Sequence, residues 1–547
     1  MMNAAISPRI DIIRTGSNSG ENDWPLGSVY FSKPCPEELY KILTKVLLSS
    51  RAEYILFWDE HLGMPEPEMV RAVCRLPGNV WHAGLRLGLS GLPRVLDFVH
   101  PAWTLNLDPS PEIESSGWRI SLRACLAERR VLQDLEHVSP EFDTLEGAGL
   151  DMGYRYITQG VFVRHVPWLI PGETGSSLPS PSLKDEVLFC HRNFNGFWNR
   201  WVLFRVIMTA AVPRLQFWKH WYDMRKSSRE RMRPKPFAQI GRLPGESGSG
   251  AEISILIPTL DRYPYLKTLL KQVREHDIKP YQIIIIDQTA PERRKKDFYD
   301  EFNDLPLKVI FQDSPGQCSS RNAGIKAAKG EYILFLDDDD EISQTLLKRH
   351  LESLDAWQAQ VSSGIAHEDG IDHQPHNFTF VRTSDVFPTN NTMIKKTILN
   401  QSGLFDLAYN HGSRADSDLG TRLYLEGNFM VLNPGISVIH HHAPQGGLRV
   451  HKARTVTYAS SRNRLFHRHL PSETEIYRAR RFFTPSQVRE MLWIFALATF
   501  KIRGGLSRKC LKMILSLLAF PHTCWIMFKR NRAAGKRLKD FPVIPRL

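Results

Sequence analysis

One stretch constrains this chain more than any other: Tyr332-Ile333-Leu334-Phe335-Leu336 running straight into Asp337-Asp338-Asp339-Asp340-Glu341. The apolar run is dense enough for a strand buried on both faces. Charges do not sit inside a parallel sheet, so the acids must emerge at the strand's carboxyl end. In open α/β sheets that edge is where ligands bind. Adjacent carboxylates repel one another unless a cation or water screens them. A lone acidic run also fits a solvated loop, so its neighbours have to decide.

Those neighbours alternate between strand and helix. Ile253–Pro258 reads as a strand, Tyr265–His276 as a helix, Gln282–Asp287 as a strand, and Pro291–Phe302 as a charged helix. Leu307–Gln312, Ser319–Ala328 and Tyr332–Leu336 continue as strand, helix and strand. Uniformly apolar strands separated by helices predict a mostly parallel sheet covered on both faces. Each strand ends in polar groups. Pro258, Thr259 and Arg262 follow the first strand, Asp287 closes the second, and Arg321 and Asn322 lie on the helix before the acidic strand. Singly, each fits a loop or a helix cap. Together they line one sheet edge.

The first part of the chain echoes the second. Ala52–Glu60 (AEYILFWDE) resembles Gly330–Asp338 (GEYILFLDD), and Asp151 and Arg155, with Gly160 beyond, repeat the spacing of Asp418, Arg422 and Gly427. This reads as a duplicated module. The first copy lacks an Asp-x-Asp, has Gly149 where the second has Asp416, and shows nothing before Ala52 that resembles the Thr259/Asp287 region. The expected order is a loose leader over residues 1–25, a degenerate α/β module with trailing helices over 26–226, and a basic, Pro/Gly/Ser-rich linker over 227–250. A catalytic domain follows over 251–470, then basic helices over 471–547. Pro171–Ser182 reads as a loop by composition.

The ordered motifs of the second half resemble the family 2 glycosyltransferases: Ile-Pro-Thr-x-x-Arg, Asp287, Arg321-Asn322-x-Gly324, the acidic run, Gly403-x-Phe405-Asp406, Arg414–Arg422 and Asn433–His440. The resemblance covers about residues 252–470 and implies a GT-A fold, Rossmann-like and flanked by helices, in tandem with the smaller degenerate module and followed by C-terminal helices. It implies an inverting transferase that moves a sugar from a nucleotide-diphosphate sugar to a glycan or lipid-linked acceptor, in cell-surface polysaccharide biosynthesis. The nucleotide would meet Pro258, Thr259, Arg262, Asp287, Arg321, Asn322, Asp337 and Asp338. A Mg2+ or Mn2+ ion would meet Asp339 and His440, although which of the four adjacent acids binds stays open. The family's Glu-Asp pair falls on Ala415-Asp416, which leaves Asp416 as the general base and puts acceptor contacts in doubt. Asp418 and Arg422 would brace that helix as an i,i+4 ion pair. Two other classes stay open, a nucleotidyltransferase and a noncatalytic sugar-nucleotide-binding scaffold. The first lacks its Gly-rich loop after Pro258, and the intact acids count against the second.

Charge and cysteine usage add bounds. Seven scattered cysteines with no CxxC pair fit a reducing compartment. The first 25 residues lack the apolar run of a secretory signal. The net charge of +13 is concentrated at the carboxyl end, where Lys501–Lys539 holds eleven Lys/Arg and no acid. With the apolar runs Met491–Phe500 and Met513–Phe528, this segment predicts either helices lying on an anionic membrane surface, on the cytoplasmic side, or a buried hairpin packed on the catalytic domain. No nucleic-acid fold accompanies the basic residues.

Overall fold

The computed structural model describes residues 8–16, 23–83, 104–107, 109–170, 181–194, 196–209, 212–226, 235–241, 250–368, 374–443 and 465–547. The loop expected over 171–182 falls almost wholly outside them. Two sheets divide the chain. The first contains β1 (Ile10–Thr15), β2 (Val29–Ser32), β3 (Tyr54–Asp59), β4 (Val80–Ala83), β5 (Ser115–Ser116), β6 (Ala124–Glu128) and β7 (Val163–His165), in the order β2-β1-β3-β6-β4-β7-β5. The second contains β8 (Ile253–Thr259), β9 (Gln282–Asp287), β10 (Leu307–Phe311), β11 (Tyr332–Phe335), β12 (Asp340–Glu341), β13 (Val361–Glu368), β14 (Arg382–Thr383), β15 (Thr392–Lys395) and β16 (Met430–His440). Its order is β10-β9-β8-β11-β15-β13-β16-β12, with β14 also on β16.

The two sheets are the same sheet twice. β1 lies parallel to β2 and β3, as β8 does to β9 and β11. β6 lies antiparallel to both β3 and β4, as β15 does to β11 and β13. β7 pairs parallel with β4 and antiparallel with β5, as β16 does with β13 and β14. The registers agree as well. Tyr54 faces Ile10 and Tyr332 faces Ile253, so Gly16 stands where the second sheet has Thr259. Ile12 faces Val29 and Ile255 faces Ile283, so Lys33 stands in place of Asp287. The second sheet adds β10 at one edge and the acidic β12 at the other.

This corrects two expectations. The segment assigned to a leader contains β1, whose Ile10, Ile12 and Ile13 are fully buried between β2 and β3. The region before Ala52 therefore does hold the counterpart of the Thr259/Asp287 strands. It escaped notice because its polar ends were replaced and only the hydrophobic register survives. Within the segment read as a linker, Phe237 is buried under Arg130, and its N–H donates to Gln159 O at 2.7 Å. The charged helix expected over 291–302 is a pair of 3-10 turns.

In the second half, Leu266, Leu269, Leu270 and Val273 of the Tyr263–Arg274 helix lie on one face of the sheet, and the Gln317–Ala327 helix covers the other with Cys318 and Ile325. Both helices begin at the carboxyl ends of the strands, which aims their first turns at the acidic edge.

The halves meet across matched surfaces. Gly160 and Gly427 occupy equivalent positions with φ of +92° and +81°, a region that favours glycine. A Cβ on Gly160 would lie 2.7 Å from Val381 O of the second half, and one on Gly427 would lie 2.3 Å from Glu114 O of the first. Val381 and Glu114 are themselves equivalent, each preceding the strand that pairs with β16 or β7. At the centre Phe162 packs edge-on against its own counterpart, Phe429, with ring centroids 5.1 Å apart. Residue i touching j while j's counterpart touches i's is the pattern of an isologous two-fold interface, here within one chain.

Beyond the second sheet come helices Glu473–Phe482, Pro485–Ala498, Leu506–Leu518 and Phe520–Asp540. The first is fixed by a capping box of Ser472 and Glu475, and by Tyr477 Oη donating to Asp406 at 2.7 Å. Among the described residues no single helix is long and apolar enough to cross a bilayer; the last two helices meet at 58°.

Candidate active site

The acidic run folds back on itself and leaves no free loop. After β11 the chain turns within Asp337–Asp340, Asp337 N donating to Asp340 Oδ2 at 2.8 Å. It then pairs as β12 with the end of β16, Asp340 opposite His440. This brings the acids and the histidine run together, a meeting that no spacing in the sequence encodes.

Each carboxylate is partnered, and two of them share Arg262. Arg321 Nη2 donates to Asp337 Oδ1 at 2.9 Å and to Thr389 Oγ1 at 3.1 Å. Asp338 accepts from Thr259 Oγ1 at 2.8 Å and from Arg262 Nη1 at 2.9 Å. Asp339 lies 3.0 Å from Arg262 Nη1, and its Oδ2 accepts from Ala443 N at 2.8 Å. Asp340 accepts from His440 Nδ1 at 2.9 Å. Pro258 closes the strand beside Ile286 of β9. Asp338, Asp339 and Asp340 are buried, which costs several kcal/mol per charge unless it is compensated, so the two arginines and the histidine hold the turn together.

The titration behaviour follows. Burial pushes the Asp338 carboxyl up to about 7, and the Asp339 charge pushes the same way against Arg262. Burial also raises Asp340, opposed by His440. Burial alone would lower His440, but the hydrogen bond to Asp340 and the nearby carboxylates hold it above the usual histidine range. At neutral pH His440 is thus the cation of this pair. Two other histidines of the run pair elsewhere, His441 with Glu341 at 2.7 Å and His442 with Glu368 at 3.2 Å.

Two residues expected to meet a nucleotide are engaged otherwise. Asp287 is fully buried at the end of β9, accepting from Tyr263 Oη at 2.8 Å, Tyr299 Oη at 2.9 Å and Thr289 N at 2.9 Å. Asn322 exchanges two 2.8 Å bonds with the backbone of Phe405 and so pins the Gly403–Phe405 turn. Sequence reading missed Tyr263 and Tyr299, whose aromatic spacing reads simply as core, and Thr389, which no motif marks.

Asp416 lies in the first turn of the Ala415–Leu425 helix, half-buried. Among the described residues its carboxylate has no hydrogen bond or ion pair. Asp418, two residues on, is buried and committed: it pairs with Arg422 at 2.9 Å and accepts from Tyr409 Oη at 3.2 Å. Arg422 continues to the carbonyls of Ser402 and Leu404. At Ala415, where the family has Glu, no carboxylate is available. The adjacent Arg414, in the left-handed region at φ +80°, instead reaches Glu475 of the following segment at 2.7 Å.

Residues 254–415, which span β8 through the start of this helix, match the family model described as Glycosyl transferase family 2. They are a family 2 glycosyltransferase domain. The domain is similar to the uncharacterized glycosyltransferase EpsJ of Bacillus subtilis, 30% identical over 110 residues that make up 20% of this chain and 32% of that protein. It is also similar to the poly(ribitol-phosphate) beta-N-acetylglucosaminyltransferase TarS of Staphylococcus aureus, 27% identical over 114 residues, 20% of each chain. Among solved structures, the mannosyltransferase PcManGT of Pyrobaculum calidifontis, in complex with GDP-Man and Mn2+, aligns at 16% identity and a TM-score of 0.35, covering 55% of this chain and 90% of that one. The chain spans about a third of the length of the first curated relatives it matches.

The first half keeps the frame of this glycosyltransferase domain without its acids. Asp59 takes the place of Asp337 but accepts from His61 Nδ1 at 2.8 Å and Arg123 Nε at 3.0 Å. Gly16 replaces Thr259, and the side chain of Glu60 fills the space, its Cδ 1.7 Å from where a Cβ would be. Gly149 replaces Asp416. The brace survives intact: Asp151 pairs with Arg155 at 2.8 Å, and Arg155 bonds the carbonyls of Glu136 and His137.

Proposed function

We propose that the second half is an inverting, metal-dependent glycosyltransferase that moves a sugar from a nucleoside-diphosphate donor to a hydroxyl of a glycan or lipid-linked acceptor. The observation that carries this is the free carboxylate of Asp416 beside its committed neighbour Asp418, in a domain whose acids are gathered at the carboxyl edge of β8 and β11. In this reading the acceptor hydroxyl oxygen attacks the anomeric carbon and its proton passes to an oxygen of Asp416. The bond from that carbon to the diphosphate breaks in the same step, which inverts the configuration. Arg262 and Arg321 lie within the edge and supply positive charge to the departing diphosphate.

The donor set suits a hard divalent cation. Asp339 Oδ1 is buried without a hydrogen bond, facing Arg262 Nη1 at 3.0 Å and His440 Nδ1 at 3.7 Å. Among the described residues no three His, Cys, Asp or Glu side chains are gathered to hold an ion by themselves. Mg2+ and Mn2+ take one or two carboxylates and complete their shell with substrate phosphates. Asp339 would hold the ion, joined by His440 through Nε2 once that nitrogen has given up its proton, and the ion's chemistry when bound would be neutralisation of the leaving diphosphate. The acceptor in the name of the TarS relative supports a polymeric acceptor, and with it a place in cell-surface polysaccharide biosynthesis.

The test is a panel of nucleotide sugars with Mn2+ or Mg2+, scored for released nucleoside diphosphate. Asp416→Asn should lower turnover by roughly 10²–10⁴-fold, the range of a lost general base. Undiminished turnover in that variant would remove Asp416 from the mechanism.

A further inference from the structure

The Leu506–Leu518 helix is inside out. The two residues it buries are Lys512, 2% exposed, and Ser516. Lys512 Nζ donates to the carbonyls of Leu465 and His467 at 2.6 and 3.0 Å, and Ser516 Oγ donates to Thr499 O at 2.9 Å. The helix is therefore attached to the protein by its polar side. Its apolar side faces outward: Leu511, Ile514, Leu517 and Leu518 are 45–77% exposed, at helical spacing. The next helix continues the surface with Trp525 and Phe528, 58% and 67% exposed, while Thr523, which donates to Ala519 O, faces inward. Of the two apolar runs, Met491–Phe500 packs inward, with Met491, Ile494 and Ala496 buried, whereas Met513–Phe528 turns most of its apolar side chains outward, so a buried hairpin describes the first run and not the second.

The occupant of such a face is constrained by the charge around it. Lys501–Lys539 carries eleven Lys/Arg and no acid, and Lys509, Lys529, Arg532 and Lys536 are exposed along the same two helices, with Arg503 exposed just before them. An apolar stripe edged by these exposed cations complements an anionic lipid leaflet, where the side chains enter the acyl boundary and the cations meet headgroups. A protein partner of ordinary composition would leave that many like charges uncompensated. Among the described residues no single helix is long and apolar enough to cross a bilayer; the bent pair together has the length and apolar content of a broken span, and it is the exposed cations along both helices that favour lying on the surface. A second apolar surface adjoins this bundle: the Gly196–Thr209 helix docks on Pro485–Ala498 through Trp201 Nε1 donating to Glu490 at 2.7 Å, and exposes Ile207 and Met208.

We infer that the Leu506–Leu518 and Phe520–Asp540 helices form a docking surface for an anionic membrane leaflet, entered by Leu511, Ile514, Leu517, Leu518, Trp525 and Phe528. The inference is independent of the sugar-transfer reading. It is tested by co-sedimentation of the full chain with phosphatidylcholine vesicles made with or without phosphatidylglycerol. Binding is expected to the anionic vesicles and to weaken with added salt. Ile514→Glu with Leu518→Glu should lower partitioning at least about tenfold, given the apolar area withdrawn, and Lys509→Glu with Arg532→Glu should restore little difference between the two vesicle types. All these positions are exposed, so the melting temperature should not move, and circular dichroism checks that. Absence of binding to anionic vesicles overturns the inference, as does binding that both variants leave unchanged. A concentration-dependent dimer abolished by the Ile514/Leu518 variant, without vesicle binding, assigns the face to a second copy and overturns it as well.

Discussion

At the residue scale the active edge is a balance of charge, and Arg262 is its pivot. One guanidinium nitrogen lies 2.9 Å from Asp338 and 3.0 Å from Asp339, both buried. Arg262→Met leaves two desolvated carboxylates facing each other, a change of the kind that costs about 3–5 kcal/mol. A thermal melt should show that loss, with recovery when the neighbour is neutralised in Arg262→Met/Asp338→Asn. Asp287 is a case of a legible residue with an illegible role. Its identity and its place after a buried strand were plain in the sequence, but its hydrogen bonds to Tyr263 and Tyr299 come from a helix and a 3-10 turn on either side. Asp416 and Asp418 make the same point: two acids in one helical turn, one of them consumed by an arginine a turn away.

At the element scale the fold meets pH through a buried histidine. His350, on the Leu346–Ala356 helix, is fully buried between Ser362 and Asn391 at 2.9 Å each. Asn391 Nδ2 donates to Ile365 O, so its Oδ1 accepts from His350 Nε2–H and Nδ1 accepts from Ser362. That network holds a neutral ring, and burial lowers its pKa to about 4. The unfolded chain binds the extra proton below its ordinary pKa, so stability should fall as pH drops through the window from about 6.5 to 4. The loss is up to about 3 kcal/mol from this ring. His350→Gln should flatten that part of the melting-temperature profile. A profile as steep as the parent's would mean the ring carries its proton in the fold. The Asp151–Arg155 brace is an ion pair at 2.8 Å, its arginine held above the usual range by the Asp151 and Glu136 carboxylates against burial.

At the scale of the whole molecule two copies of one sheet face each other across Phe162 and Phe429. Phe429→Ala removes a ring packed under Arg164 and against Phe162 and should cost about 3–5 kcal/mol. Gly427→Ala adds a Cβ at positive φ against Glu114 O and should cost more than the ~1–2 kcal/mol of the backbone conformation alone. Both act at the interface, so calorimetry should show the single transition of the parent separating into two; a merely lowered single transition would mean the halves do not melt as units. What the sequence determined by itself was whatever is written in local pattern: the strand–helix alternation, the acidic strand end, the order of the family's motifs and the echo of Ala52–Glu60, because period and composition act within a few residues. What the tertiary structure decided was every relation across distance. β1 inside the supposed leader, Glu60 in the place of Thr259's side chain, the outward apolar face of Leu506–Leu518 and the pairing of Asp340 with His440 all depend on which surfaces packing brings together. Burial and hydrogen bonding are properties of neighbours in space, and the acidic run became a site only when β16 returned a hundred residues later to close it.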